Sequence, residues 1–257
     1  MMWQDLLDFG NTNLTYRLHH GGLPPFFLES KSAESEFQEW LDAFWSKDIQ
    51  ELFHLERRYA FQKFIELLFI QSGGIFEANQ FSRPCEVSRT TISNYLKVLE
   101  TTSVVHIVRP FSSYNASEII SAPKVYTFDT GFVSCWRGWD RLRAEDLGIL
   151  WEHFVLNEIA GNLQTKKIYY WRDKRGHEID FILTPQKKRP IAIETKWKEE
   201  YFDPKNLIIF RQRYPAGENY VVSHNIDKSF NRRYKDIRVK FLNIADFVKE
   251  ISNLKVL

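Results

Sequence analysis

Alternation of apolar and polar positions marks two strands near residue 180. In Glu178–Leu183, the residues Glu178, Asp180 and Ile182 point one way and Ile179, Phe181 and Leu183 the other. In Ile191–Lys196, Ala192, Glu194 and Lys196 share one face, and Ile191, Ile193 and Thr195 share the opposite one. If the two strands pair, Asp180, Glu194 and Lys196 converge. The stretch LGILWEHFVLNEIAGNL, from Leu147, predicts one helix. On it Glu152 sits in the apolar stripe with Val155, Leu156 and Ile159, while His153, Asn157 and Ala160 fall on the polar side. KKIYYWR is a strand before these two, DPKNLIIFRQRYP a helix after them, NYVVSH a strand buried on both faces, and IRVKFLNI a last strand before the helix ADFVKEISNL. The order is α-β-β-β-α-β with additions at the end.

The first half reads as helical. WQDLLDFG is a short amphipathic segment, and the Gly and Pro pairs of HHGGLPPFF predict a turn. Residues 34–48 place Phe37, Trp40, Leu41 and Phe44 at helical spacing. ELFHLERRYAFQKFIELLFIQSGG reads as one long helix that stops at Gly73–Gly74. After a short second helix, Ser88 caps a third, with Ile92, Tyr95, Leu96 and Leu99 inward and Arg89, Thr90, Ser93, Asn94 and Lys97 outward. HIVRPF and KVYTFDTG are the arms of a β-wing, and Asp129 is a turn or helix cap. Three helices and a β-hairpin describe a winged helix-turn-helix, whose third helix presents polar and basic side chains to a DNA groove.

Composition narrows the class. The chain has 257 residues, 44% of them hydrophobic and 16% aromatic, which supports packed cores rather than disorder. A net charge of +2 does not by itself call for nucleic acid, but basic residues cluster at Lys187, Lys188 and Arg189, at 211–213 and at 228–240. A basic hairpin tip of this kind suits phosphate-backbone contact. The two cysteines, Cys85 and Cys135, have no zinc spacing and are expected to be reduced. The chain shows no signal peptide and no apolar run of membrane-spanning length, so no membrane partner and a cytoplasmic location are expected. Two carboxylates and an ammonium on one sheet face are costly unless they pair or bind a cation, and oxygen-only ligation suits Mg²⁺.

The set Glu152, Asp180 and Glu194-Thr195-Lys196, within an αβββαβ order, resembles the PD-(D/E)XK phosphodiesterase superfamily, the fold of type II restriction endonucleases and archaeal Holliday-junction resolvases. Ile179-Asp180 stands where the name-giving pattern has Pro-Asp. The resemblance implies that Glu152, Asp180 and Glu194 hold Mg²⁺, with Mn²⁺ as the alternative. It also implies that the ion polarises a phosphodiester and acidifies an attacking water. Lys196 then orients that water or stabilises charge on the phosphate.

A second resemblance covers nearly the whole chain. YRLHHGGLPPFFL, SRTTISNYLKVLETT, APKVYTFDTGF, Gly148-x-x-x-Glu152, YYWRDKRGHEIDFIL and IAIETK follow one another in the order found in the C-terminal module of prokaryotic AAA+-like ATPases. The chain carries no G-x-x-x-x-G-K-[S/T] and no Gly-Lys pair, so it is not expected to act as an ATPase by itself. It resembles the module without its ATPase: a truncated gene, a split gene or a standalone descendant.

The expected architecture is mixed α/β. A helical entry segment (1–50) precedes a winged helix-turn-helix domain (51–135) and a restriction-endonuclease-like αβββαβ domain (136–257). The expected activity is Mg²⁺-dependent cleavage of DNA. The alternative is a catalytically silent DNA- or protein-binding module that works with a separate P-loop ATPase. An oligomer is compatible with either, since many restriction-type folds act as dimers.

Overall fold

The computed structural model describes residues 1–28, 34–53, 57–111, 122–185 and 189–254. The chain is mixed α/β, with helices and a large mixed sheet. It divides into two compact units. The first holds Met1, 13–107 and 124–142; the second holds 2–12, 108–123 and 143–257. The division does not follow the expected cuts at 50 and 135. Residues 13–50 pack with the helical unit instead of forming a separate entry segment, and the helix Trp3–Asp8 belongs with the second unit.

In the first unit, aromatic side chains build the core. Phe37, Phe44, Phe61, Phe64, Phe69, Phe81 and Phe132 are all buried in one cluster. Phe132 lies 4.8 Å edge-on from Phe37 and 5.3 Å from Phe69, ring geometries that add to area burial. The Gly and Pro pairs do not make the expected open turn. Gly21 and Gly22 separate two short helices, Leu14–His20 and Pro24–Leu28, and the Pro pair forms the first turn of the second. Gly21 takes φ +85°, and a Cβ there would lie 2.0 Å from Asp129 Oδ1, so glycine is needed both for conformation and for space. The expected long helix from residue 51 is described as Gln50–Phe53 and Arg58–Ile70, and Gly73 turns the chain at φ +86°.

Strand β1 (Gly74–Ile75) and helix Ala78–Ser82 follow. Ser88 Oγ then accepts from Thr91 N at 3.1 Å and starts the helix Arg89–Thr101, which buries Ile92, Tyr95, Leu96 and Leu99. Strands β2 (Val105–Pro110) and β3 (Lys124–Thr127) come next, and β1 pairs antiparallel with β3, which neighbours β2. Asp129 is the N-cap of helix Thr130–Trp136; its carboxylate is buried and accepts from Gly131 N (2.8 Å) and Gly22 N (2.6 Å).

In the second unit the helix Ala144–Leu163 is followed by β4 (Ile168–Arg172), β5 (Glu178–Leu183) and β6 (Ile191–Lys196). The helix Lys205–Arg213, β7 (Asn219–Ser223), β8 (Phe230–Tyr234), β9 (Ile237–Leu242) and helix Ile244–Ser252 complete it. The strand order is β2-β4-β5-β6-β7-β9-β8. β4, β5 and β6 form an antiparallel meander; β6, β7 and β9 run parallel. Strand β8 was not expected, because FNRRY is polar and mostly exposed and sits at the sheet edge. Leu207 and Phe210 of one helix cover Ala192, Val221, Val239 and Phe241.

The long helix is buried on more sides than its polar residues suggested. His153, expected on a polar side, is 1% exposed and its Nδ1 lies 2.8 Å from Ile149 O. Glu158 is equally buried and accepts from Trp3 N at 2.6 Å. The N-terminal helix thus supplies the polar partner that the burial of Glu158 requires.

Removing the buried Asp129 carboxylate strands two backbone donors, each costing about 1–3 kcal/mol. Asp129→Ala is therefore expected to lower the stability of the first unit by about 2 kcal/mol or more, read as an earlier urea transition; a transition unmoved from wild type contradicts this role.

Candidate functional site

The site forms where β5 and β6 part. Their pairing is described from Leu183↔Ile191 to Phe181↔Ile193 and goes no further. On its other side β5 is irregular. Tyr169 pairs with Ile182 and Trp171 with Ile179, so two steps along β4 meet three along β5. This bulge spans Asp180 and Phe181 and breaks the strict alternation expected for the strand; bulges of this kind re-aim side chains beside active sites. Asp180 Oδ2 accepts from Thr195 N (2.7 Å) and Thr195 Oγ1 (3.0 Å). The carboxylate therefore takes a backbone donor of β6 where the ladder stops, and its position is fixed at two points.

Lys196 joins the group. Its Nζ donates to Glu194 Oε2 at 2.8 Å and to Thr195 O at 3.1 Å, and lies 3.6 Å from Asp180 Oδ2. Glu194 is 3% exposed, and its Oε1 is buried with no hydrogen-bond partner among the described residues. Burial, then the neighbouring Asp180 and Glu152 carboxylates, raise the Glu194 pKa to about 8, against the opposing pull of Lys196. Burial disfavours the Lys196 ammonium, but Asp180, Glu194 and Glu152 outweigh it and its pKa is raised. Three carboxyl groups share one ammonium, so the lysine keeps its proton and the balance at Glu194 shifts toward its protonated form.

Glu152 reaches the same place from the long helix. With Asp180, Thr195, Lys196, Trp197 and Tyr201 it lines an open cleft of ≈ 480 Å³. The four residues expected from the sequence are thus brought together: Glu152, Asp180 and Lys196 in the cleft wall, and Glu194 buried against Lys196. Among the described residues, however, no three His, Cys, Asp or Glu side chains form a ready metal-binding group. The donor chemistry still fits Mg²⁺, which takes one or two carboxylates and completes its shell with water and phosphate oxygens. The orphaned Glu194 Oε1 is the atom that a cation would satisfy.

Glu178 stands apart, 3.7 Å from Arg172. His177 Nδ1 lies 2.8 Å from Asp173 Oδ2 in the β4–β5 turn. His224 stacks on Trp197 with ring centroids 3.8 Å apart. The sequence reading missed Thr195, the residue between Glu194 and Lys196, because its role depends on the strands parting. It also missed Trp197 and Tyr201, for which no pattern in the sequence speaks.

Arg189 does not join this cleft. It is exposed and lines a separate cavity with Pro185, Glu218 and Glu250. Lys187 and Lys188 lie outside the described residues. In the first unit Arg89, Thr90, Ser93, Asn94 and Lys97 are all exposed on the helix Arg89–Thr101. Among the described residues no helix is long and apolar enough to cross a membrane.

Comparison with known proteins gives a family for the chain. Residues 11–143 match a family model described as Domain of unknown function (DUF8612). The chain belongs to this family. Residues 147–246, which contain the whole cleft constellation, match a second, Domain of unknown function (DUF4143), found in AAA-ATPase-associated proteins. Two uncharacterised proteins, from Mycobacterium bovis and Mycobacterium tuberculosis, are each 30% identical over 197 residues, 74% of this chain. The match spans 44% of their length, so the chain corresponds to less than half of these relatives. A solved assembly of Thermococcus gammatolerans McrB AAA+ hexamers with bound McrC aligns over 70% of this chain and 47% of its own at 12% identity. Its TM-score of 0.31 is too low to support a shared fold.

The Glu194 shift fixes a pH dependence. Between its ordinary 4.5 and about 8 the folded state holds a proton that the unfolded state has lost. Stability therefore falls as pH rises through that window. Glu194→Gln removes this term, so its melting temperature is expected to gain on wild type from pH 5 to pH 9. Parallel pH profiles of the two proteins contradict a raised Glu194 pKa.

Proposed function

We propose that the second unit is a divalent-cation-dependent phosphodiesterase of the PD-(D/E)XK type acting on DNA, and that the first is a winged helix-turn-helix. The observation that carries the catalytic reading is the buried Glu194 carboxyl, one oxygen on Lys196 and the other unpartnered, beside Asp180 in an open cleft. The meander β4-β5-β6, the helix before it and the parallel β7 support the restriction-endonuclease-like arrangement. In the first unit, the order helix, β1, helix, helix, β2, β3, with β1 and β2 flanking β3, supports the winged helix. Arg89, Thr90, Ser93, Asn94 and Lys97 on its third helix would meet the DNA groove.

Asp180 and Glu194 would hold Mg²⁺ or Mn²⁺, with Glu152 on the cleft wall. The ion, when bound, would neutralise phosphate charge and acidify a water. The chain's own contribution is positional and electrostatic. Thr195 holds Asp180 by two hydrogen bonds, so that carboxylate is preorganised. Lys196 keeps its ammonium in a half-buried wall, where a donor acts more strongly on a phosphate oxygen than it would in water. Below its raised pKa, Glu194 would give up its proton to an arriving cation.

A second reading is favoured by a different observation: Lys196 is already satisfied by Glu194, and among the described residues no three acidic side chains are arranged as a ready metal-binding group. On that reading the module is catalytically silent. It binds DNA or protein and works with a P-loop ATPase supplied by a separate chain, consistent with the ATPase association of the second family.

Incubation with supercoiled, linear, single-stranded and branched DNA in Mg²⁺ or Mn²⁺ separates the two. The first reading expects cleavage of at least one substrate, lowered about 100-fold or more by Glu194→Ala and by Lys196→Ala. Absence of cleavage by folded wild type on every substrate favours the silent module.

A further inference from the structure

Between positions 228 and 240 the chain carries six basic residues and one acid, Asp236, although the net charge of the whole chain is only +2. The structure folds this stretch largely into the β8–β9 hairpin, with β8 at the sheet edge. The register sets Arg233 directly opposite Arg238. Both are exposed, and among the described residues neither guanidinium has an ion-pair partner. Like charges facing each other across an antiparallel pair repel. On the same face Asn231 opposes Lys240, which is neutralised by Glu250 at 2.5 Å, so the repulsion is concentrated on the arginine pair. Lys235, also exposed, adds a third charge at the tip, where it adopts φ +51°, a conformation glycine would take with less strain. Arg233 Nε donates to Lys235 O at 3.0 Å, which orients one guanidinium but does not offset its charge; a bound polyanion would relieve the repulsion.

The hairpin is tied to the lip of the cleft. Tyr234 packs edge-on against Phe202 at 5.6 Å, and Arg232 reaches Glu199 at 3.9 Å. Glu199 begins the short 3-10 turn that ends in Tyr201, a residue of the cleft wall and 57% exposed.

We propose that the β8–β9 hairpin is a nucleic-acid phosphate-backbone contact, made by Arg233, Arg238 and Lys235 and leading away from the cleft. It rests on the reading of DNA as the ligand of this unit, and is independent of cleavage. Backbone contact by cations is sequence-independent and releases counterions, so it is read directly from salt dependence.

The test is fluorescence anisotropy of a mixed-sequence DNA duplex with the full chain, in EDTA, across a series of KCl concentrations. Arg233→Ala/Arg238→Ala is expected to reduce the slope of log affinity against log salt by about 1.8, at about 0.9 for each phosphate that is no longer neutralised. Lys166→Ala/Lys167→Ala, which removes the same charge elsewhere on the unit, is expected to leave the slope near wild type. The arginine variant is also expected to melt no lower than wild type, whereas a purely structural pair would lower the melting temperature. An unchanged slope in the arginine variant, an equal reduction in the lysine control, or no DNA binding by wild type overturns the proposal. Cleavage of the same duplex in Mg²⁺ is scored separately. Cleavage with an unchanged slope removes the hairpin proposal alone, and a lowered slope with no cleavage of this duplex or of the supercoiled, single-stranded and branched substrates removes the phosphodiesterase alone.

Discussion

One ammonium among three carboxylates is the constraint on which the second unit turns. Lys196 touches Glu194, lies close to Asp180 and feels Glu152. Burying such a group carries a desolvation cost of several kcal/mol per ion, returned only when geometry and hydrogen bonds are nearly complete. Asp180 Oδ2 accepts two hydrogen bonds and Lys196 donates two, but the second oxygen of the buried Glu194 has no partner among the described residues. A fold that kept the group for stability alone would close that gap with a donor. Its persistence directly behind the wall of an open cleft fits a site whose last partner comes from solution.

The surrounding architecture serves that gap. The meander brings Asp180 beside β6, and the bulge at Asp180–Phe181 re-aims the carboxylate toward Thr195. The parallel neighbour β7 and the buried Leu207 and Phe210 of helix Lys205–Arg213 pack the sheet behind the site. The long helix carries Glu152 to the cleft on an element anchored by fully buried Leu150, Trp151 and Phe154. A site on strands and a packed helix is held more precisely than one on loops.

Much of this was legible in the chain, for identifiable reasons. β5 and β6 have the bounds that alternation implies, because one face of β5 is wholly apolar and one face of β6 is apolar up to Thr195. The helix Arg89–Thr101 starts at its Ser88 cap and buries the four residues its periodicity selects. The failures also have causes. Strand β8 is polar because it lies at an edge, so no apolar period announces it. His153 looked polar by type, yet a backbone carbonyl one turn earlier satisfies it in the core. The Gly and Pro pairs near residue 22 punctuate two short helices, with Gly21 fitted against Asp129 more than a hundred residues away. Thr195 could not be singled out because its partner is chosen by a bulge, which depends on pairing and not on residue type.

The most direct test of the central claim is calorimetric titration of the full chain with Mg²⁺ and with Mn²⁺ near pH 7, in two buffers of different ionisation enthalpy. If Glu194 holds a proton that a cation displaces, binding releases up to one proton, the apparent enthalpy differs between buffers, and Asp180→Asn and Glu194→Gln each abolish the signal. Absence of binding to wild type, or binding that survives both substitutions, contradicts the assignment of a cation to this group.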